Sequence, residues 1–174
     1  APMHDIGKIA VPDIILQKPG KLSPEEFEII KKHSVNGGKI IKETFARMHH
    51  DPLYTRVAYD VAKYHHEKWN GTGYPNKIAG IEIPLCARIM AAADVMDALL
   101  SKRLYKEPKT IEEAIEIFES SRDTHFESCI VDAVISAKDE IVKFDKEFKL
   151  QEEESNQIEQ EWWQRYHENK KQGL

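Results

Sequence analysis

The amino-acid sequence predicts an all-α protein built around one globular core. Glycine and proline are sparse, at eight residues each among 174, and such a composition favours helices over a strand-rich sandwich. Hydrophobic residues make up 41% of the chain, which suffices for one core, while the length argues against two independently folded enzyme domains. We therefore expect a bundle of about six to eight helices, with a long glycine-rich loop at 69–83 and a C-terminal helical extension.

Composition also limits the partners and the location of the protein. The formal net charge of −5 argues against binding to a nucleic-acid polymer, although a local basic cluster could hold a small anionic ligand. No apolar stretch reaches the roughly 18 to 20 residues that span a bilayer, because charged residues interrupt the best candidate, 83–100. The two cysteines, Cys86 and Cys129, suit reduced thiols better than a disulfide framework. These features predict a cytoplasmic protein without a membrane segment.

The first third of the chain carries clear signals for a long helix. Prolines and a glycine within 9–22 predict an irregular connection. Ser23-Pro24-Glu25-Glu26 is a capping box with proline at the first helical position, so a helix should start there and run past His33 to about Met48. We expect Asn36-Gly37-Gly38 to bend or interrupt this helix.

A second helix should begin at Pro52, because apolar residues recur after it at helical spacing, at Leu53, Val57, Val61 and Tyr64. This helix places His65 and His66 at its C-terminal end. Glycines and a proline then end it, and the loop 69–83 is of the kind that more often carries function than packing. We expect functional residues in this loop.

The next two helices are marked by a proline and by a second capping box. The most apolar helix is expected at about 84–101, with Asp94 and Asp97 three residues apart on one face. Thr110-Ile111-Glu112-Glu113 is a capping box that should open a helix ending near Ser120.

The C-terminal part of the sequence is expected to be helical and increasingly polar. A helix is predicted at about 127–149. Beyond it the residues are mostly charged, yet one helical stripe remains apolar, at Ile158, Trp162 and Tyr166. We therefore divide the chain into a domain at 1–149 and a charged helix or linker at 150–174.

Histidine and aspartate residues on four separate segments suggest a metal site. Any one of them is more often a packed or solvated residue than a ligand, and an isolated His-Asp pair is a weak signal. The combination is more specific, because neutral imidazoles and a carboxylate that can bridge two cations suit borderline metals such as Fe, Mn or Ni. The set, which could hold two metals, consists of His4, Asp5, His33, His65, His66 and Asp94.

Ordered motifs make the sequence similar to a known family. His4-Asp5-Ile6-Gly7-Lys8 resembles an HDxGK signature. His65-His66-Glu67 leads into Gly71-Thr72-Gly73-Tyr74-Pro75, which resembles the HHE…GxGYP element of the HD-GYP subgroup of HD metal-dependent phosphohydrolases. The resemblance covers residues 1 to about 136 and implies an HD-domain helical bundle.

The resemblance also implies roles for the metal-site residues. The six residues of the set would be metal ligands, with Asp5 as the bridge between two or more divalent cations, Fe or Mn first and Ni, Mg or Zn as alternatives. A water bridged between the metals would be the nucleophile, which fits the ability of paired cations to generate hydroxide near neutral pH. Lys8 would place a positive charge at the phosphate or orient that hydroxide, although a solvated surface lysine is the plain alternative.

Four further residues would bind the substrate by the same resemblance. Gly73 and Tyr74 would line a guanine pocket, since glycine lets the backbone approach a base and a tyrosine ring can stack on it; an ordinary turn is the alternative. Arg103 and Lys106 would meet a second phosphate. The alternative for this pair is a basic helix end without a ligand.

Some features depart from the family pattern. Asp123-Thr124-His125-Phe126-Glu127-Ser128 resembles a GTHFDP turn with three substitutions, and we expect it to be structural. Members of the family also supply ligands from helices upstream of the HD pair, whereas this chain starts three residues before that pair. We therefore expect a fragment with an incomplete metal shell and little turnover compared with a longer protein.

The leading functional prediction is hydrolysis of cyclic di-GMP, with either linear pGpG or GMP as the end product. One alternative is another HD phosphohydrolase that acts on nucleoside phosphates or on a different cyclic dinucleotide. A further alternative is a non-catalytic module that binds a cyclic dinucleotide or docks a partner through 150–174. An upstream sensory or receiver domain and a homodimer are compatible with the sequence.

Overall fold

The structure is a computed structural model that describes residues 3–48, 51–101 and 107–171. These residues form seven α-helices and no β-strand, so the all-α prediction is confirmed within the described ranges. The helices are α1 (Asp13–Leu16), α2 (Pro24–Met48), α3 (Pro52–Tyr64), α4 (Leu85–Leu100), α5 (Ile111–Ser120), α6 (Ser128–Ser136) and α7 (Lys138–Lys171). Two short 3-10 helices, Ile6–Ala10 and Gly80–Glu82, precede α1 and α4.

The chain divides into two compact units, Ala1–Val134 and Ile135–Leu174. The first unit contains α1 to α5 and most of α6, and it carries all the described residues of the predicted metal site. The second unit is mainly α7. The domain limits predicted from sequence, 1–149 and 150–174, remain a prediction.

The predicted helix at about 127–149 is wrong as a single element. It is two helices, because α6 ends at Ser136 and α7 begins at Lys138, with the Ala137 carbonyl accepting from the Ile141 N–H. Helix α7 also continues without a break through position 150, where the predicted helix was expected to end. Glu, Gln and Lys favour helix even where no apolar face is buried. The apolar stripe predicted on it is exposed, with Ile158 69% and Trp162 56% accessible.

No helix in the described part of the chain combines the length and the apolar character needed to cross a membrane.

The helix starts follow the capping signals in the sequence. At the start of α2, Ser23 Oγ accepts from the Glu26 N–H at 3.2 Å, and the Glu26 carboxylate accepts from the Ser23 N–H at 2.7 Å. Thr110 and Glu113 make the same reciprocal pair at α5. Asp51 caps α3 by accepting from the Leu53 N–H at 2.7 Å. Local side-chain chemistry therefore sets three helix starts.

Helix α2 is continuous from Pro24 to Met48, so Asn36-Gly37-Gly38 does not interrupt it. Both glycines are buried there for a packing reason. Gly37 faces Gly7 of the 3-10 helix, and a side chain on Gly38 would press on Tyr59 of α3. Small residues at these positions let two elements approach α2 closely. Ile41, Phe45 and Ala62 close the core between α2 and α3 beside them.

Candidate metal centre

The six residues of the predicted metal set come together from four elements. His4 and Asp5 precede the 3-10 helix, His33 lies in α2, His65 and His66 follow α3, and Asp94 lies in α4. One ligand atom from each of Asp5, His33, His65 and His66 lies within 4.8 Å of the others. The remaining two residues are His4 and Asp94. His4 Nε2 lies 3.4 Å from Asp5 Oδ2 and 3.5 Å from Asp94 Oδ1, so His4 connects Asp94 to the other four residues.

A backbone contact at Gly7 brings the first motif to α2. A Cβ atom at this position would lie 1.9 Å from the His33 carbonyl oxygen and 2.5 Å from the Gly37 nitrogen. Both distances are far shorter than any real Cβ contact, so only glycine fits here. The absence of a side chain at Gly7 therefore allows Asp5 to reach His33.

Backbone carbonyls determine which nitrogen of His33 and of His65 faces the cluster. His33 Nδ1 lies 2.7 Å from the Ile30 carbonyl oxygen, and His65 Nδ1 lies 2.9 Å from that of Val61. A ring nitrogen that faces a carbonyl must carry the hydrogen, which leaves the lone pair on Nε2. Both Nε2 atoms point to Asp5, at 3.3 Å from His33 and 3.9 Å from His65.

The Asp5 carboxylate faces different groups with its two oxygens. Oδ1 lies toward His33 and His65, whereas Oδ2 lies toward His4 and is 2.5 Å from Lys8 Nζ. Burial alone would raise the pKa of Asp5, but hydrogen bonds from His4 and Lys8 hold that pKa well below its ordinary value. An ionised carboxylate with separated oxygens has the form of a bridging ligand.

Three histidines of the cluster, His33, His65 and His66, are held neutral by burial. Desolvation lowers the pKa of His65 to about 4, with His4 and His33 adding repulsion. Desolvation likewise lowers the pKa of His66 to about 3, and that of His33 below its ordinary value. The pKa of Asp94 is lowered mainly by its hydrogen bond with His4. At neutral pH these imidazoles therefore present lone pairs rather than protons.

The donor set fits a metal. Asp5 Oδ1, His33 Nε2 and His65 Nε2 are buried, and within the described residues they have no hydrogen-bond partner. Such atoms are costly to bury unless another group completes them. A mixture of imidazole nitrogens and carboxylate oxygens suits Fe, Mn, Ni or Zn better than an ion that prefers oxygen ligands only.

The glycine-rich loop lies directly against this cluster. Gly73 is buried on the backbone of Glu67 and Lys68, where a Cβ atom would come within 2.5 Å. Tyr74 follows it and stacks on His66, with ring centroids 4.7 Å apart and an interplanar angle of 28°. Tyr74 therefore forms a wall of the site.

A family model described as HD domain matches residues 1–130, three quarters of the chain. The chain belongs to the HD domain family. Its relatives include a 3′3′-cGAMP-specific phosphodiesterase 2 of Vibrio cholerae, 43% identical over 82% of this chain. A cyclic di-GMP phosphodiesterase of Thermotoga maritima is 43% identical over 81% of the chain, and a cyclic di-GMP phosphodiesterase response regulator of Xanthomonas campestris is 41% identical over 79%.

These relatives are much longer proteins. The matched part of this chain spans 26% of the Vibrio relative, 37% of the Thermotoga relative and 35% of the Xanthomonas relative. The motif order together with such relatives places this HD domain in the HD-GYP-type subgroup, as the resemblance implied.

The structure of the HD domain adds residues for which the sequence predicted no role. Glu67 is buried at the base of the glycine-rich loop, and Lys31 Nζ lies 5.7 Å from the centre of the Tyr74 ring. Glu67 belongs to the His65-His66-Glu67 motif, but the motif alone does not show which groups the Glu67 carboxylate contacts. Arg103 and Lys106, predicted to bind a phosphate, lie outside the described residues.

The segment around His125 supports the loop through its backbone. The carbonyls of His125 and Thr124 accept from the N–H groups of Trp69 and Asn70, both at 3.0 Å. The His125 ring stacks on Phe126 at 4.2 Å, and Phe126 stacks on Phe118 at 4.5 Å. This geometry suits the structural role expected for the segment.

His125 should make the HD domain sensitive to acid. Burial, with help from Lys68, lowers the pKa of His125 to about 4, whereas an unfolded histidine titrates near 6.5. Between these values the unfolded chain binds a proton that the folded chain does not, so the free energy of unfolding falls as the pH drops, by on the order of 3 kcal/mol.

Urea unfolding at pH 7 and pH 4 measures this change in the free energy of unfolding. His125→Asn should reduce the difference between the two pH values, and His167→Asn, on exposed α7, should not; equal differences in both variants would contradict the assignment.

Proposed function

We propose that this HD domain is the metal-dependent core of a phosphodiesterase that opens cyclic di-GMP to linear pGpG, and cleaves pGpG to GMP in a second step. The observation that carries the proposal is the convergence of His33 Nε2, His65 Nε2 and Asp5 Oδ1, buried and without a hydrogen-bond partner among the described atoms, next to Tyr74. The names of the relatives support the same class of substrate.

The proposed ligands divide into two groups that share Asp5. His33 and His65 face Oδ1 of Asp5, with a ligand atom of His66 within 4.8 Å of this group. His4, which also contacts Asp94, faces Oδ2. Bound divalent cations, Fe or Mn in the first place, would lower the pKa of a water molecule and offset negative charge on the phosphodiester. Asp5 would hold both groups at a fixed separation because each of its oxygens faces one of them.

Residues around the cluster would bind and orient the substrate. Lys8 Nζ, held at Asp5 Oδ2, would place a positive charge beside the reacting phosphate. The face of Tyr74 that is not stacked on His66 would support a guanine base. Arg103 and Lys106 would bind the second phosphate, as the resemblance implies.

A second substrate, 3′3′-cGAMP, is supported by one specific observation. The Vibrio relative named for that substrate is as similar to this chain as the Thermotoga relative named for cyclic di-GMP, at 43% identity each. The two dinucleotides differ in one base and share both phosphodiester bonds. The metal cluster would therefore treat them alike, and base contacts would discriminate between them.

Metal removal tests the proposal. A longer form of the protein, extended upstream of residue 1 and loaded anaerobically with Fe(II) or Mn(II), should convert cyclic di-GMP to pGpG, with products identified by chromatography. A chelator should reduce the rate by about a hundredfold or more. 3′3′-cGAMP is assayed in parallel. His4→Ala should behave like the chelated protein, whereas His167→Ala, on exposed α7, should match the unsubstituted protein. Undiminished turnover after chelation would contradict the proposal, and binding of the dinucleotide without turnover would favour the non-catalytic module.

The setting of the domain is also a proposal. Cys86 and Cys129 are free thiols, which supports a cytoplasmic location. The response-regulator relative supports a regulatory receiver domain elsewhere in the protein. Assembly into a homodimer remains compatible with both.

A further inference from the structure

Glu67 is a buried carboxylate next to the metal cluster but outside it. Its side chain is 2% exposed. Its Oε1 atom accepts from the Asn76 N–H at 2.6 Å and from the Lys77 N–H at 3.1 Å. The four-residue group within metal-binding distance, Asp5, His33, His65 and His66, does not include it. Oε1 of Glu67 is therefore committed to backbone groups, while Oε2 is buried without a hydrogen-bond partner among the described residues.

These hydrogen bonds close the glycine-rich loop on itself. Glu67 directly follows His66, and its carboxylate reaches residues nine and ten positions later in the chain. Lys77 has a φ of +57°, in the left-handed region that side chains other than glycine rarely adopt. Acceptance of its N–H by a buried carboxylate compensates for that unfavourable conformation.

The closed loop determines where the Tyr74 ring lies. The Tyr74 N–H donates to the His66 carbonyl at 3.1 Å, and Gly73 packs directly on the Glu67 backbone. Tyr74 is thus held on one side by its own backbone contact and on the other by the turn that Glu67 anchors. Without that anchor, the stacking of Tyr74 on His66 would rest on a single hydrogen bond and on ring contacts.

We infer that Glu67 is a positioning residue that holds Tyr74 against His66 for the recognition of a nucleotide base. This inference rests on the proposed hydrolysis of a cyclic dinucleotide. Loss of the Glu67 acceptor should weaken binding of a substrate that carries bases, and it should leave untouched a phosphodiester that needs only the metal cluster.

Two substitutions at Glu67 test the inference in the metal-loaded protein. Glu67→Met keeps the side-chain length but removes the acceptor; Glu67→Gln keeps an acceptor oxygen. For cyclic di-GMP we expect Glu67→Met to raise KM by about tenfold, with kcat/KM for bis(4-nitrophenyl) phosphate within about twofold of the unsubstituted protein. Glu67→Gln should restore the KM for cyclic di-GMP. Glu43→Gln, on the exposed face of α2, is the control.

Amide hydrogen exchange tests the hydrogen bonds of Glu67 without a measurement of turnover. Asn76 and Lys77 are exposed residues, yet their amides should be protected from exchange because Glu67 accepts from both. Protection should be lost in Glu67→Met and kept in Glu67→Gln.

Each outcome decides a separate point. Equal loss of activity on both phosphodiesters in Glu67→Met would mean a merely structural role and overturn the inference, as would an unchanged KM. Amides of Asn76 and Lys77 that exchange freely in the unsubstituted protein would also overturn it. If the unsubstituted protein neither binds nor cleaves a cyclic dinucleotide, the proposed function fails, whereas the exchange result still decides whether Glu67 anchors the loop.

Discussion

Asp5→Asn should lower kcat/KM for cyclic di-GMP on the order of a thousandfold, because the substitution removes the group that both halves of the cluster share. The Asp5 oxygens lie 3.3 Å from His33 Nε2 and 3.4 Å from His4 Nε2. Asparagine has the same size, but it lacks the charge and replaces one oxygen with a hydrogen-bond donor. It cannot bridge two cations.

Metal content and turnover measured together test the Asp5 prediction. Elemental analysis of the Asp5→Asn protein should find less metal per chain than in the unsubstituted protein. Asp139→Asn, at an exposed position in the first turn of α7, removes the same charge and should change neither quantity. The bridging role would be excluded by an Asp5→Asn protein that keeps its full metal content and more than a tenth of its activity.

Gly7→Ala should both destabilise the domain and separate Asp5 from His33 in the metal site. The added methyl group would lie 1.9 Å from the His33 carbonyl oxygen, and neither backbone can yield without moving a helix. We expect a loss of at least about 3 kcal/mol in the free energy of unfolding, at the upper end of overpacking effects. The 3-10 helix would have to leave α2, which would carry Asp5 away from His33.

Urea unfolding and metal titration of the Gly7→Ala protein measure these two effects. Gly37→Ala is the matched control from the opposite side of the same contact, where the added methyl group would meet its nearest atom at 3.3 Å. Alanine is also favoured over glycine inside a helix by about 1 kcal/mol. The control should therefore stay within about 1 kcal/mol of the unsubstituted protein. Similar small changes in both proteins would show that the contact at Gly7 is not restrictive.

Most of the helical framework could be predicted from the sequence. The capping boxes at Ser23 and Thr110 and the prolines at 52 and 84 act on the next few residues only, so their effect is visible in a short stretch of sequence. The two errors concern longer ranges. The glycines at 37 and 38 were expected to bend or interrupt α2, yet they do not interrupt it, and the partners against which they pack lie elsewhere in the chain. Nothing in the composition of 127–149 marked the break at Ala137.

For the candidate site, the sequence by itself named the residue types, their order along the chain and a donor set suited to borderline metals. Only the tertiary structure decided how those residues meet: the contact of Gly7 with α2, the carbonyls that leave Nε2 of His33 and His65 facing Asp5, and the turn anchored by Glu67. The physical reason is the separation along the chain of the residues that interact. Capping and helix propensity depend on neighbours within one or two turns, whereas the metal cluster depends on distances between groups separated by up to 90 positions, from His4 to Asp94. Close packing of α2, α3 and α4 sets those distances.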